Sequence, residues 1–330
     1  MLGWLSQATG RIDPIPDAGK SLHRGDTAEA GWTHTRPASG AAPDSVEWVP
    51  DQTLIERLGH DGSARLLIIT TAGLGGCHAM NDGVFTSLRS GLATTASLMV
   101  PCPWSREAAA RYRGEDVGVS LTLTAEFPLY RWGPVTHAPS LLGGDGGFPG
   151  TISDVWDHAD LDEVRRETRA QLERAILWGF DVTHVASHLD VLTMRPEFFD
   201  IYLDLACEFQ LPVRGIPEHL RGQIGFPVEE LVSAQGVLCP DRVLRVPTSS
   251  ARRARAIERI IDQLEPGVTE LQLQPASDFP ELRSLTDDWA ARVDDLTHLT
   301  ENSELRALIE RTGVTLTGYR ALRDLQRSES

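Results

Sequence analysis

The stretch LLIITTAGLGGCHAMNDG, residues 66–83, decides the fold. Its first half is a short apolar run closing on two β-branched residues, Thr70 and Thr71, with glycine just beyond, as expected of a strand buried on both faces. Its second half is a glycine-containing loop that leads into a helix predicted from about Ala79 to Leu92. Strand, loop and helix in that order open a parallel α/β sheet. The loop gives little support to nucleotide binding. No GxGxxG follows the strand, and TAGLGG lacks the lysine of a phosphate-binding loop.

Working outward, the same alternation continues. Further strands are predicted at 94–100, where Pro101 stops the run, at 116–124, and near 182–187, 211–214, 269–274 and 313–317. The clearest helix starts at Asp160, a fitting N-cap with Glu163 three residues on in capping-box spacing. Leu161, Val164, Thr168, Leu172 and Ile176 share one face, and Gly179 follows the last turn. Another helix is expected after Pro196. Seven or so strands with intervening helices predict a distorted (β/α) barrel, with an open doubly wound sheet as the alternative. Residues 1–50 are rich in Gly, Pro, Ala, Asp and Thr without a sustained period, and read as an N-terminal extension to a domain spanning 51–330.

Composition narrows the partners. The 330-residue chain carries a net charge of −16, which repels nucleic acid and anionic membranes. No run of 18 apolar residues exists, and the opening MLGWLSQATGRIDP lacks the basic and apolar regions of a signal peptide, so a cytoplasmic protein is the expectation. The four cysteines, Cys77, Cys102, Cys207 and Cys239, form no CxxC pair and read as packed side chains. A small-molecule ligand is the expected partner, and the sequence leaves homo-oligomerisation open.

Six segments, in order, carry a resemblance: LLIITTAGLGGCHAMNDG (66–83), ASLMVPCPW (96–104), VGVSLTLTAEFPLYRWGP (117–134), THVASHLDVLTMRPEF (183–198), ELQLQPA (270–276) and TGYRALRDLQR (317–327). Together they resemble the YdjC/ChbG carbohydrate deacetylases, relatives of the polysaccharide deacetylases, from about Leu54 to Arg327. The resemblance implies a distorted α/β barrel with its active site at the C-terminal ends of the strands. It also implies a divalent metal that activates water, held by about three protein ligands, with a carboxylate base and an acid for the leaving amine.

The family pattern places those groups where this chain has others. Its Asp-Asp pair after the first strand reads Ala72 and Gly73 here, and the His of its GVHL motif reads Ser120. Its HxDxH motif reads His184, Ala186 and His188, and its late His before Pro reads Gln274. Alanine and glycine offer no donor atom, and a neutral hydroxyl is a poor ligand beside imidazole. Losing the carboxylate at 186 removes the group that would fix a histidine tautomer. Metal-dependent deacetylation is therefore predicted absent, with no metal and no cofactor.

The residues left are candidates for other work. His184, His188, Asp190, Ser120 and Gln274 are assigned catalytic roles as hydrogen-bond donors or proton shuttles. His184 and His188 meet at one site only if the chain bends after the strand, because four residues of strand span about 13 Å. Asn81, Glu126, Tyr130, Arg131, Trp132 and Arg195 are assigned to substrate binding, since Trp faces stack on rings and Arg clamps carboxylates. A Cys77–His78 nucleophile is less favoured than a packed cysteine, since adjacent residues point apart. Three readings follow: a metal-independent enzyme acting on a small molecule in the old pocket, in a setting such as specialised metabolism; a non-catalytic pseudoenzyme; and a deacetylase with ligands relocated to His78, His184, His188 and Asp190. The first is preferred, because a pocket in decay fills with apolar side chains and this one stays polar.

Overall fold

The computed structural model describes residues 52–246 and 253–329, so the expectation for an extension at 1–50 lies outside the described residues. Among the described residues there are seven strands: β1 (Arg65–Leu74), β2 (Thr95–Leu98), β3 (Val117–Leu121), β4 (Val182–Ser187), β5 (Arg242–Arg245), β6 (Gly267–Leu273) and β7 (Thr315–Leu316). They form one sheet in the order β4-β3-β2-β1-β6-β5, with every pairing parallel. Strand β7 shares an edge of β1 with β2, pairing only at Leu66 and Leu67. Single bridges, Val185 to Val213 and Pro217 to Val243, carry the curl from β4 across residues 211–217 to β5. The strand expected at 211–214 is thus a bridged extended segment, because only isolated residues there meet a partner.

Alternation along β1 sets the two faces. Leu67 and Ile69 pack outward with Ile257, Ile261 and Leu308 of the covering helices. Leu66 and Ile68 pack with Tyr319 and Leu322 of the final helix, Tyr319–Ser328, which plugs the curl. Between Ala72 and Leu74 the register slips, and Gly73 takes φ +97°, a conformation that L side chains rarely adopt.

The helix Leu161–Leu177 forms as expected, but its capping differs from the sequence reading. The Asp160 side chain accepts from the Asp162 and Glu163 amides. Glu163, however, turns away to accept from the Ser140 amide and hydroxyl. Leu161 and Ile176 are exposed at the ends of the stripe. Two buried polar residues on this helix shape the long segment after β3. Glu167 accepts from the Val135 amide and from the Thr136 amide and hydroxyl. Gln171 accepts from the Thr122 amide and donates to the Thr122 carbonyl. These bonds satisfy backbone groups that a strandless segment leaves without ladder partners. Among the described residues, no helix is long and apolar enough to cross a membrane.

Candidate functional site

The C-terminal ends of the parallel strands gather the loops that a curled α/β sheet uses for binding. His188 follows the last residue of β4, where the chain turns sharply: Leu189 and Asp190 take φ +50° and +60°. Left-handed backbone at two consecutive non-glycine residues is strained and persists only where the surroundings impose it. The imposing contact is Asp190, whose two oxygens accept from Arg245 Nη1 and Nη2 at 2.6 and 3.0 Å. His188 meets Glu126 of the segment after β3, with Nε2 3.1 Å from Oε2. Their side chains are 13% and 29% exposed, so the pair sits at the opening. Burial works against ionisation of Glu126, but the charge that His188 carries when protonated, and its hydrogen bond, outweigh it and hold the carboxyl below its ordinary range.

His184 is a different kind of residue. It is fully buried, stacked on Tyr319 with ring centroids 3.9 Å apart. Its ring bridges Ser97 Oγ at Nε2 (3.0 Å) and Thr183 Oγ1 at Nδ1 (3.1 Å). Thr183 spends its own proton on Asp116 Oδ1, so it accepts from His184 Nδ1–H, and the Ser97 hydroxyl donates to Nε2. Burial, with the charge of Arg214 adding to it, pushes the His184 pKa down to about 3. Gly118 admits this ring, since a Cβ there would overlap the imidazole. The two histidines therefore do not share a site: the bend comes after His188, leaving His184 in the strand. Its assigned shuttle role gives way to a neutral, hydrogen-bonded core histidine.

Asp190 likewise leaves its assigned role as acid or base, since both its oxygens are held by a guanidinium. Arg245 in turn donates to Gln272, which also accepts from Arg214, and Arg214 lies 3.3 Å from the buried Glu270. Sequence reasoning missed this chain of charges, because β5 reads as a polar stretch and Arg214, Arg245 and Asp190 lie far apart along the chain.

Most residues assigned to substrate binding turn out to be loop supports. Asn81 is buried. Its Oδ1 accepts from the Gly75 amide at 2.6 Å, and its amide donates to the Trp104 carbonyl and Glu107. Arg131 donates to the Ala125 and Phe148 carbonyls and pairs with Asp145. Trp132 is buried and donates to the Thr124 carbonyl, so no face is free for stacking a ligand. Tyr130 donates to the Gly76 carbonyl at 2.7 Å, tying the segment after β3 to the loop after β1. Arg195 lies over the Trp156 ring at 4.7 Å. For Asn81, Arg131, Trp132 and Tyr130, backbone carbonyls or carboxylates accept the donors a ligand would need.

Ser120 is the penultimate residue of β3, paired with Ala186. Gln274 follows β6; its amide donates to Asp295, while its side-chain oxygen is buried without a partner. In the loop after β1, Cys77 is buried and burial pushes its thiol up to about 11, which suits a packed cysteine. His78 lies between the rings of Trp104 and Phe279, each 5.4 Å away, and faces Glu107.

A divalent metal of the kind the fold implies needs about three donors around one point. The residues present do not fit it. Ala72 and Gly73 supply none, Ser120 supplies a neutral hydroxyl, Asp190 is committed to Arg245, and His184 is enclosed in the core. Among the described residues, no three His, Cys, Asp or Glu side chains are placed to hold an ion.

A curled parallel sheet with its loops gathered over the strand ends defines a class, the distorted α/β barrels related to sugar deacetylases. The family model described as YdjC-like protein matches residues 66–311, and the chain belongs to that family. It is 35% identical over 276 residues to a carbohydrate deacetylase of Thermus thermophilus, covering 82% of this chain and 98% of the relative. A carbohydrate deacetylase of Thermoanaerobacter pseudethanolicus is 26% identical over 262 residues, covering 78% of this chain and 100% of the relative. Among solved structures, a protein of Enterococcus faecalis V583 superposes with a TM-score of 0.69 at 25% identity, covering 79% of this chain and 99% of that one.

Proposed function

We propose that this chain is a diverged YdjC-like protein whose strand-end pocket binds a small molecule and transforms it without a metal. One observation carries this reading: the positions that would supply carboxylate and imidazole donors at the C-terminal ends of β1 and β3 hold Ala72, Gly73 and Ser120, while an imidazole–carboxylate pair, His188 and Glu126, stands at the opening. A histidine backed by a carboxylate moves protons near neutral pH without an ion. Ser120, near the end of β3, adds a hydroxyl that can orient a ligand.

The full-length similarity to carbohydrate deacetylases favours a second reading, hydrolysis of an N-acetylated sugar. Acetate release from N-acetylated oligosaccharides, measured with and without added zinc, nickel or cobalt, separates the two. The preferred reading expects no metal-stimulated release. Metal-dependent turnover abolished by a chelator would establish the deacetylase instead.

A further inference from the structure

The pair at the opening also specifies which atom of His188 acts, and we infer that Glu126 is a positioning residue that orients the ring so that the hydrogen of its neutral form sits on Nε2, leaving Nδ1 as the basic atom facing the ligand. This rests on the reading of the pocket as a metal-independent site.

Three observations carry it. First, Nε2 lies 3.1 Å from a carboxylate oxygen, and a carboxylate only accepts, so this nitrogen bears the hydrogen. Second, among the described residues no protein group is hydrogen-bonded to Nδ1, and Nδ1 is not a sealed orphan either, since it is absent from the buried unpartnered atoms. It is therefore accessible to solvent, and to a ligand arriving at the strand ends. Third, Ala186, two residues before His188 on β4, has no side chain that could orient the ring, so the fixing group comes from the segment after β3. That segment is itself pinned: Ala125 binds Pro149 through its amide, and Tyr130 is anchored to Gly76. Glu126 is thus presented from a supported backbone.

The substrate this arrangement serves carries a proton on oxygen, nitrogen or an activated carbon. The lone pair on Nδ1 takes that proton, the substrate keeps the bonding electrons, and the resulting imidazolium is stabilised by the Glu126 carboxylate. Returning the proton to product restores the neutral ring, so no further reactant is consumed.

His184 is an internal standard, because its partners require the opposite tautomer, with hydrogen on Nδ1. The test is nitrogen-15 correlation spectroscopy of the full chain labelled at histidine, at a pH above the ordinary imidazole range of about 6.5. Expected is a slowly exchanging Nε2–H for His188 beside an Nδ1–H for His184, the former assigned by its loss in His188→Gln. In Glu126→Ala the protected Nε2–H should exchange at least about tenfold faster, as befits loss of a charge-assisted bond. The unchanged His184 signal would show that the fold survives, and Glu126→Asp should restore part of the protection. A His188 hydrogen on Nδ1, a ring still protonated on both nitrogens, or undiminished protection in Glu126→Ala would overturn the assignment. Metal-dependent turnover would instead overturn the reading of the pocket, whatever the tautomer.

Discussion

Acidification should destabilise this protein through His184 before most of its surface groups matter. The ring is enclosed, neutral and doubly hydrogen-bonded, with a folded pKa of about 3 against an ordinary value of 6.5. Because the folded value is the lower one, the unfolded chain binds the proton first as pH falls. Stability from this site is intact above about pH 6.5 and is lost progressively toward about pH 3. Between about pH 7 and about pH 4 the linkage amounts to about 3 kcal/mol, a large share of a typical domain's stability. The perturbation is His184→Gln, which removes the titration while keeping a side chain able to bond Ser97. Urea unfolding of both proteins across this range measures the effect. The variant should start less stable near neutrality but lose about 3 kcal/mol less on acidification. Parallel pH profiles would refute the reasoning, since they would mean that His184 titrates equally in both states.

The other predictions concern the supports of the site. Gly118→Ala should destabilise by about 2–4 kcal/mol, read as a lower urea midpoint, because a methyl there overlaps the His184 ring and carbonyl. Asn81→Ala should cost about 2–3 kcal/mol and speed amide exchange at Gly75, since the buried side chain holds that amide and the Trp104 carbonyl. Cys77 should resist alkylation in the folded protein and react on unfolding, as mass mapping after iodoacetamide would show, because its thiol is buried and its pKa is raised to about 11.

Much of the fold is readable in the residues because burial on both faces leaves a plain signal. Leu66 to Ile69 announce β1, and the loop glycines mark its end. Strand β5 is the counterexample. Arg242 and Arg245 interrupt its apolar pattern, and their reason for being there, Glu265 and Asp190, lies in other parts of the chain. The site was legible by residue type and not by commitment. Asn81, Arg131 and Trp132 have the chemistry of binding residues, but whether a donor is free depends on which carbonyls the folded loops bring to it. The bend after His188 was required for two histidines to meet, and its actual position keeps them apart. Glu126 and His188 are 62 residues apart in sequence, and the parallel pairing of β3 with β4, which sets Leu121 beside Ser187, delivers them to the same end of the sheet.

The central claim is that this pocket lacks the donors to hold a catalytic metal. Elemental analysis of protein purified without chelators tests it most directly. The account predicts transition metal far below one equivalent per chain, unchanged in His188→Gln. One equivalent of zinc, nickel or cobalt, lost in that variant, would contradict it.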